Sequence, residues 1–431
     1  MTEIATRTGI AEEARPPMSG AYDVVVIGGG PAGTTLATLV QRSGHRCLIL
    51  EQATFPRYHI GESLIPQTHG TLNRLGLLPR LRASSFPVKH SVRFVSSDGQ
   101  PSTPFYFSDT IEGERARTWQ VERSTFDQMC LDNARQNGVE VCTDTTVDDV
   151  RFEDGRAVGV GVRTPRADPY RIDARVVVDA SGRATVIGSQ LGLRGSVHGL
   201  EKGSLWGYFK GAARLPGLDA GETTIFTTGR GGWFWYIPLP NDVVSIGVVD
   251  DSDHLFAGSD KRAQTFLRET EACRPLRERL VRAERVGPIR GVKRMAYVNR
   301  QTCGDGWLML GDARAFLDPI YSSGLYLALA SAELAAECVS EALIEGDCSG
   351  SRLGRFEPRL TAGVDAIRQL IYAFYNPRFS FREFLRCYPD QRGALINCLV
   401  GDVLDKDLSA FQDALAQMTM PPAPMSSTGT R

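Results

Sequence analysis

The stretch YDVVVIGGGPAGTTLATLVQRSGHRCLILE, residues 22–51, decides the fold of this chain. Its first six residues are almost all apolar and predict a buried strand. A glycine-rich turn follows, after which residues 31–43 predict a helix and residues 46–51 a second strand. Two strands joined by one helix within about 30 residues form a βαβ unit, which is the building unit of a Rossmann-type sheet.

The glycines of this unit predict dinucleotide binding. In Gly28-x-Gly30-x-x-Gly33, the first glycine allows the tight turn, the second lets the backbone approach a pyrophosphate, and the third lets helix and strand pack closely. The helix N-terminus offers unpaired N–H groups and a partial positive charge to that anion. Glu51 ends the second strand, where an acid can bind a ribose hydroxyl. We expect a dinucleotide to be held by this set: Gly28, Gly30, Pro31, Ala32, Gly33 and Glu51.

Composition argues against several other classes of protein. The 431 residues include 49 Lys plus Arg and 50 Asp plus Glu, a net charge of −1, which disfavours nucleic acid or an anionic membrane as the main partner. The longest apolar run, residues 324–343, contains three glutamates and is not expected to span a membrane. Nine cysteines without a C-x-x-C pair predict neither a metal site nor a disulfide framework. Residues 1–20 lack the apolar segment of a signal peptide, so free thiols favour a cytoplasmic location.

The pattern of strands and helices predicts an α/β protein with distinct parts. A Rossmann-type (GR2-like) dinucleotide-binding domain is expected to be discontinuous, and a β-rich substrate domain and a C-terminal helical region complete the prediction. A helix is expected over residues 259–278. The predicted bounds are a disordered tail at 1–20, the dinucleotide-binding domain at 21–194 and 291–343, the substrate domain at 195–290, the helical region at 344–418 and a second disordered tail at 419–431.

Two further segments indicate which dinucleotide is bound. Gly311-Asp312 follows a short apolar strand and precedes a helix, and Asp179 begins the segment Asp-Ala-Ser-Gly. With the glycine turn, these segments resemble, in order and spacing, the FAD enzymes of the para-hydroxybenzoate hydroxylase type. The resemblance implies FAD, with Asp179, Gly311 and Asp312 at the cofactor. Taken singly, each aspartate could equally cap a turn or a helix.

The segment Trp233-Phe-Trp235-Tyr-Ile-Pro238 resembles the W-x-W-x-I-P pattern of the flavin-dependent halogenases. Residues two apart on a strand share one face, so the plain alternative is two core tryptophans beneath a sheet. The resemblance implies that Trp233 and Trp235 separate the flavin from the substrate. A halide, rather than an aromatic ring, then reacts with the flavin hydroperoxide.

Lys89 is the candidate catalytic residue. Lysine is scarce in this chain, and Lys89 follows the stretch FPRYHIGESLIP, residues 55–66, which resembles a motif of halogenases that act on phenols and pyrroles. That resemblance implies that Lys89 is the essential lysine, and we expect Arg57, Ser63 and Arg123 at the cofactor. The alternative is a lysine on the solvated face of a strand.

The proposed role of Lys89 has two chemical forms. An ammonium group can hydrogen-bond hypohalous acid and polarise it, whereas a neutral amine can form a chloramine. Free lysine titrates near ~10.4, so the second route requires a desolvated pocket that lowers the pKa. Both routes stay open at this point.

The segment FLDPIYSSG, residues 316–324, precedes a long helix whose backbone N–H groups can bind an anion. By resemblance to halogenases, Pro319, Ser323 and Gly324 are candidates for the halide site, although an ordinary helix cap explains them equally well. Tyr321 stands where the tryptophan halogenases carry a glutamate, which argues against free tryptophan as the substrate. We group Tyr321 with the residues that separate flavin and substrate.

These observations predict a flavin-dependent halogenase that uses reduced FAD, oxygen and chloride or bromide to modify an electron-rich ring. No second G-x-G-x-x-G is present for a nicotinamide cofactor, so a separate flavin reductase is expected. The substrate is a small phenol or pyrrole, either free or tethered to an acyl carrier protein. The alternatives are a single-component aromatic hydroxylase (a monooxygenase), a geranylgeranyl-reductase-like enzyme, and a flavoprotein without catalytic activity.

Overall fold

The computed structural model describes residues 21–165, 167–258 and 261–419. The tails predicted at residues 1–20 and beyond residue 419 lie outside the described residues. None of the helices within the described ranges has the length and apolarity needed to cross a membrane.

The strands of the described residues are, in chain order, β1 Tyr22–Ile27, β2 Cys47–Leu50, β3 Val88–Lys89, β4 Ser91–Val95, β5 Phe105–Tyr106, β6 Thr118–Trp119, β7 Glu140–Cys142, β8 Thr146–Glu153, β9 Arg156–Thr164, β10 Ala167–Asp179, β11 Arg194–Ser196, β12 Lys202–Lys210, β13 Thr223–Thr227, β14 Trp233–Pro238, β15 Val243–Asp251, β16 Glu284–Val292, β17 Tyr297–Asn299, β18 Cys303–Gly304, β19 Trp307–Met309 and β20 Ala315–Phe316.

The α-helices are α1 Pro31–Arg42, α2 Thr68–Leu75, α3 Leu78–Arg82, α4 Arg123–Gln136, α5 Val186–Gln190, α6 Ser252–Leu255, α7 Arg262–Ala272, α8 Arg274–Arg279, α9 Ser323–Glu345, α10 Gly350–Leu353, α11 Glu357–Tyr375, α12 Phe381–Cys387, α13 Arg392–Val400 and α14 Ser409–Met418.

A parallel sheet forms the first layer and creates the edge on which the site is built. The strands β19, β10, β1, β2 and β7 are neighbours in that order, and each pair is parallel. Ile27 is in register with Leu50 and with Asp179, so β1, β2 and β10 end side by side. Their carboxyl ends therefore bring the residues that follow each strand together, which is where open α/β sheets bind ligands. The predicted Rossmann-type α/β fold is confirmed.

A second, largely antiparallel sheet has the order β16-β12-β15-β14-β13-β4-β5. Strands β12 to β15 lie within residues 195–290, the region predicted to be rich in β-strands. Strands β4 and β5 belong to this sheet, although they fall in the range 21–194 predicted for the FAD-binding domain, and β16 extends past residue 290. Strand β4 pairs in parallel with β13, and β5 extends the same sheet. Local sequence patterns do not indicate this pairing, because it joins segments about 130 residues apart.

Helices cover the sheets and close the core. Helix α9, predicted at about residues 324–342, packs against α1 on the parallel sheet. The helix expected over residues 259–278 is in fact two helices, α7 and α8, with Cys273 between them and Pro275 in the first turn of the second. Proline suits that first turn because it has no N–H to donate. Helices α10 to α14 form the C-terminal helical region.

Candidate active site

A cavity of about 440 Å³ lies at the carboxyl edge of the parallel sheet and will be called the edge cavity. The glycine turn, the N-terminus of α1 and Glu51 all line it. Helix α1 begins after Gly30 without a side-chain cap, so its first N–H groups have no side-chain acceptor. Unpaired donors at a helix N-terminus suit a phosphate or pyrophosphate.

The backbone at the turn fits only glycine at two of its three signature positions. Gly28 has a φ of +105°, and a Cβ there would lie 2.5 Å from the carbonyl oxygen of Ala180. A Cβ on Gly33 would lie 2.1 Å from the carbonyl oxygen of Gly28. Gly30 instead faces the edge cavity, and its Cβ would meet only the Arg57 guanidinium, 3.5 Å away. The turn therefore has the shape that a dinucleotide requires, and the residues fit FAD.

Glu51 is buried beside the turn and braces it. One carboxylate oxygen accepts a hydrogen bond from the Gly29 N–H at 2.8 Å, and the other accepts from the Ala53 N–H at 2.8 Å. Arg57 Nε lies 3.8 Å from the same carboxylate. The acid is thus oriented at the cavity wall, where the sequence placed a ribose ligand.

Arg57 and Arg123 share one buried acid that sequence reasoning missed. Arg57 donates to Asp127 at 3.0 Å, and Arg123 donates to both oxygens of Asp127 at 2.8 and 3.0 Å. Arg123 also donates to the carbonyl oxygens of Ile60 and Gly61. Both arginines line the edge cavity, and Arg123 fixes the loop at Ile60 and Gly61. The spacing of Arg123 and Asp127, four residues apart on α4, was the available signal.

The two late aspartates have different positions. Asp312 lines the edge cavity, and burial raises its pKa to about 6 against the opposing effect of Arg183 and Arg123. Gly311 adopts a positive φ of 52° just before it and lies against α9. Asp179 is fully buried and accepts from the backbone N–H groups of Ser181 and Ile187. Asp179 therefore caps a turn, the alternative that the sequence left open, while the neighbouring residues 180–182 line the cavity.

A second cavity of about 180 Å³ adjoins the first and will be called the tryptophan cavity. Asp312 and Gly324 line both cavities, so the two meet at these residues. Trp233 and Trp235 lie on its far wall, with ring centroids 6.2 Å apart. Trp233 Nε1 donates to the Tyr375 hydroxyl, and Trp235 Nε1 donates to Ser245 Oγ. Both indoles are buried in the main hydrophobic core, as the plain alternative predicted, and both also line the tryptophan cavity.

A third tryptophan completes this wall. Trp206, on the neighbouring strand β12, lies 6.5 Å from Trp235 between ring centroids and lines the same cavity. Its Nε1 donates to the Tyr58 hydroxyl at 2.6 Å. No motif marked Trp206, because its position depends on how β12 pairs with β15.

Lys89 is fully buried, and its amine is hydrogen-bonded to Ser63, which lines the tryptophan cavity. Its Nζ donates to Ser63 Oγ at 2.8 Å and to the Leu64 carbonyl oxygen at 3.1 Å. Burial lowers the pKa of Lys89 to about 7, and the nearby Glu222 carboxylate opposes this. The alternative of a solvated lysine is wrong. At neutral pH both the amine and the ammonium are populated, so both proposed roles remain chemically accessible.

Ser63 differs from expectation. It was grouped with the cofactor-binding residues, but its side chain lines the tryptophan cavity and bonds Lys89 and the Thr223 hydroxyl. The isolated pairing of Ser63 with Gln120 fixes the chain so that Ser63 reaches toward β13. Ser63 therefore links Lys89 to the cavity.

The segment before α9 forms the floor between the two cavities. Pro319 and Gly324 line the tryptophan cavity, and Ser322 adopts a positive φ of 55° just before the helix begins at Ser323. Ser323 and Gly324 also line a small adjoining space of about 40 Å³. Helix α9 has no side-chain cap, so the N–H groups of its first turn are available to an anion.

Tyr321 does not belong to the wall between the cavities. Its side chain turns into the core beneath α11, where its hydroxyl donates to the Leu370 carbonyl oxygen at 3.1 Å. Its ring packs edge-on against Phe374 with centroids 6.4 Å apart. The turn with positive φ at Ser322 separates the direction of Tyr321 from that of Gly324, which a linear motif does not reveal.

Two buried carboxyl groups face the tryptophan cavity, and neither was selected from the sequence. Glu62 and Asp318 both line it, and burial raises the pKa of each to about 7. Asp318 accepts from the Tyr375 hydroxyl and from the Ile320 N–H. The signal was present, because both acids lie inside motifs that the sequence analysis quoted.

A separate cluster of Asp250, His254 and Glu269 brings possible ligand atoms within 4.8 Å of one another. Arg230 contacts both His254 and Glu269. A guanidinium thus supplies the positive charge in this cluster, and we assign no metal to it.

Comparison with known proteins shows the family to which this chain belongs. A model of the tryptophan halogenase family matches residues 107–382, and a model of FAD dependent oxidoreductases matches residues 23–190. The chain is 30% identical over 404 residues to a 1H-pyrrole-2-carbonyl-[peptidyl-carrier protein] chlorinase of Pseudomonas fluorescens, with 89% of each protein covered. This chain belongs to the flavin-dependent tryptophan halogenase family. The halogenase is therefore an enzyme with FAD as cofactor and a halide as co-substrate, as predicted.

Two other similar proteins cover nearly the whole halogenase. It is 33% identical over 405 residues to a 1H-pyrrole-2-carbonyl-[peptidyl-carrier protein] brominase of Pseudoalteromonas luteoviolacea, covering 92% of this chain and 97% of the relative. The solved structure of the flavin-dependent brominase Bmp2 superposes with a TM-score of 0.83 at 29% identity, covering 92% of this chain and 99% of that one.

Proposed function

We propose that this halogenase chlorinates or brominates a small electron-rich ring, of the pyrrole type, carried as an acyl group on a carrier protein. The observation that carries the proposal is the buried Lys89 amine, which is hydrogen-bonded to Ser63 at the wall of a cavity that adjoins the dinucleotide site. Two similar proteins are named for pyrrole-2-carbonyl groups on carrier proteins. A cavity of about 180 Å³ suits one ring, since an apolar cavity of about 150 Å³ accommodates benzene.

The edge cavity would hold FAD through the chain's own groups. The N–H groups at the start of α1 would bind the pyrophosphate, and Glu51 would bind the ribose. Gly311 and Asp312 would close over the middle of the cofactor where the cavities meet. Reduced FAD supplies the activation of oxygen that turns chloride or bromide into hypohalous acid.

The remaining residues keep halide, electrophile and ring apart in space. The N–H groups of Ser323 and Gly324 at the start of α9 would bind the halide beside Pro319. Trp233 and Trp235 would bar the ring from the cofactor. Lys89 would hold the electrophile as an ammonium hydrogen-bond donor or as a neutral amine, and the buried cavity would exclude water from it.

Two partners and a location follow from this chemistry. A separate flavin reductase would supply reduced FAD by diffusion or in a transient complex. The small ring would arrive on an acyl carrier protein. The nine free cysteines suit a reducing cytoplasm.

The experiment tests substrate and reaction together. Purified halogenase would receive FAD, a flavin reductase, NADH, oxygen and bromide, with pyrrole-2-carbonyl carrier protein, free pyrrole-2-carboxylate or free phenols as substrates. We expect carrier-bound product with the isotope pattern of bromine. Products that gain one oxygen atom and no halogen would overturn the proposal in favour of the hydroxylase. Halogenation of the free phenols alone would overturn the carrier-bound substrate.

A further inference from the structure

Glu62 lies in the tryptophan cavity next in sequence to Ser63, the hydrogen-bond partner of Lys89. Only 3% of its surface is exposed. Its Oε1 accepts a hydrogen bond from the Tyr208 hydroxyl at 2.7 Å, whereas its Oε2 has no partner at ordinary hydrogen-bond geometry among the described residues, although the nearby Ser245 hydroxyl helps to lower the pKa of the carboxyl. A buried carboxyl oxygen without a partner costs free energy, so its retention calls for an explanation.

A chain of hydroxyl groups connects this carboxyl to Tyr58, which is partly exposed and lines the edge cavity. The Tyr208 hydroxyl lies 2.7 Å from Glu62 and 3.2 Å from the Tyr58 hydroxyl. Tyr58 is 44% exposed, and its ring lies beneath the Arg290 guanidinium. The Tyr58 oxygen also accepts a hydrogen bond from Trp206 Nε1, so the O–H of Tyr58 can still donate to another group. A phenol hydroxyl both donates and accepts, so each of these groups can pass a proton on.

The reaction needs such a path. When a halogen replaces hydrogen on a ring, the ring carbon forms a bond to the halogen and the oxygen–halogen bond breaks. The electrons of the C–H bond return to the ring, and its proton must go to a base. The hydroxide released from hypohalous acid takes a proton from the Lys89 ammonium group and becomes water, and Lys89 recovers that proton from water afterwards, so the overall reaction is proton-neutral. The largely apolar lining of the tryptophan cavity disfavours water there, so the ring proton needs a base supplied by the protein.

The other bases at the cavity are less suitable than Glu62. Both oxygens of Asp318 accept hydrogen bonds, from Tyr375 and from the Ile320 N–H. Burial lowers the pKa of His59 to about 4, so it is a weak base. Lys89 is committed to the electrophile. Burial raises the pKa of Glu62 to about 7, which suits a group that takes up and releases a proton near neutrality.

We propose that Glu62 is the general base that removes the ring proton, and that Tyr208 and Tyr58 conduct this proton from the cavity to solvent. In this relay Glu62 Oε2 takes the proton, Tyr208 receives one from the carboxyl and donates its own to Tyr58, and Tyr58 releases one to water. The carboxylate is thereby regenerated. The inference rests on the proposed function, because it places the aromatic ring in the tryptophan cavity.

The test compares Glu62→Gln and Tyr208→Phe with the wild type and with the matched control Glu201→Gln, which changes an exposed glutamate. Each would be assayed with carrier-bound pyrrole and with a soluble scavenger of hypohalous acid. We expect Glu62→Gln to lower ring halogenation about 100-fold or more, the usual contribution of a general base, while scavenger halogenation continues. Tyr208→Phe should lower ring halogenation less, and Glu201→Gln should not lower it.

An isotope measurement distinguishes a base from a merely structural residue. With pyrrole deuterated at the reacting carbon, the wild type should show little isotope effect, and Glu62→Gln should show a primary effect because proton removal has become rate-limiting. Ring halogenation by Glu62→Gln within threefold of the wild type would overturn the inference and leave the proposed function standing. Equal loss of ring and scavenger halogenation in Glu62→Gln would also overturn it. A wild type that halogenates the scavenger but no ring would refute the proposed function, and the inference with it.

Discussion

Replacement of Lys89 by methionine should change stability in a way that depends on pH. Lys89 has a pKa lowered from 10.5 to about 7 by complete burial, so the folded protein binds this proton only below about pH 7. The unfolded chain binds it up to about pH 10.5, which means that the unfolded state holds more protons between these values. The stability cost of burying Lys89 is therefore complete below pH 7 and disappears as the pH rises toward 10.5.

The size of this effect follows from the same pKa. A lowering from 10.5 to about 7 corresponds to about 5 kcal/mol in favour of unfolding at low pH. Lys89→Met removes that cost but leaves Ser63 Oγ and the Leu64 carbonyl oxygen without their donor, a loss of about 1–3 kcal/mol at any pH. The net change should therefore be stabilising at pH 6 and close to neutral or destabilising at pH 10. The difference between the two values should be about 4 kcal/mol.

The assay is urea unfolding of the wild type and Lys89→Met at pH 6 and pH 10, with the free energy of unfolding extrapolated to water. The matched control Lys210→Met replaces an exposed lysine and should shift the free energy equally at both pH values. If the effects of Lys89→Met at pH 6 and pH 10 differ by less than about 1 kcal/mol, burial does not lower the pKa of Lys89 as described, because Lys89 would then titrate as it does in water.

Three further predictions test the edge cavity. Asp127→Asn leaves Arg57 and Arg123 without their shared acid and should lower the free energy of unfolding by about 3–5 kcal/mol, as measured by urea titration. A loss below about 1 kcal/mol would contradict the buried network of these three residues. Glu51→Gln should weaken FAD binding about tenfold in a flavin fluorescence titration, because the proposed charge-assisted hydrogen bond between residue 51 and the ribose is lost. Unchanged affinity would exclude Glu51 as a ligand of FAD. Gly33→Ala should weaken FAD binding more than Gly30→Ala does, since only at Gly33 would the new Cβ meet backbone; the reverse order would be evidence against the turn geometry.

Local sequence patterns were sufficient for the parts of the fold that depend on neighbouring residues. The glycine turn, α1 and the strands β1 and β2 were predicted because apolar periodicity and glycine geometry are short-range properties. The structure brings Trp233 and Trp235 to one cavity with Ser63, the hydrogen-bond partner of Lys89, and the roles predicted for Lys89 and the two tryptophans stay predictions.

The remaining features depend on distant pairings that a linear pattern does not encode. Strand β4 pairs with β13, and Ser63 reaches Thr223 across 160 positions of sequence. Trp206 enters the cavity wall only because β12 pairs with β15. Tyr321 was misplaced because the backbone reverses at Ser322, where a non-glycine residue has positive φ.

The role of Lys89 in halogenation is tested most directly by comparing the products formed by the wild-type enzyme and by Lys89→Ala under identical conditions. Each would receive carrier-bound pyrrole, bromide, FAD, a flavin reductase, NADH and oxygen, and products would be identified by their isotope pattern in mass spectrometry while FAD oxidation is followed by absorbance. If Lys89 is essential for halogenation, we expect brominated pyrrole from the wild type and none from Lys89→Ala. Reduced FAD should still be oxidised by oxygen in both proteins. Brominated product from Lys89→Ala at the wild-type rate would contradict the central role of Lys89.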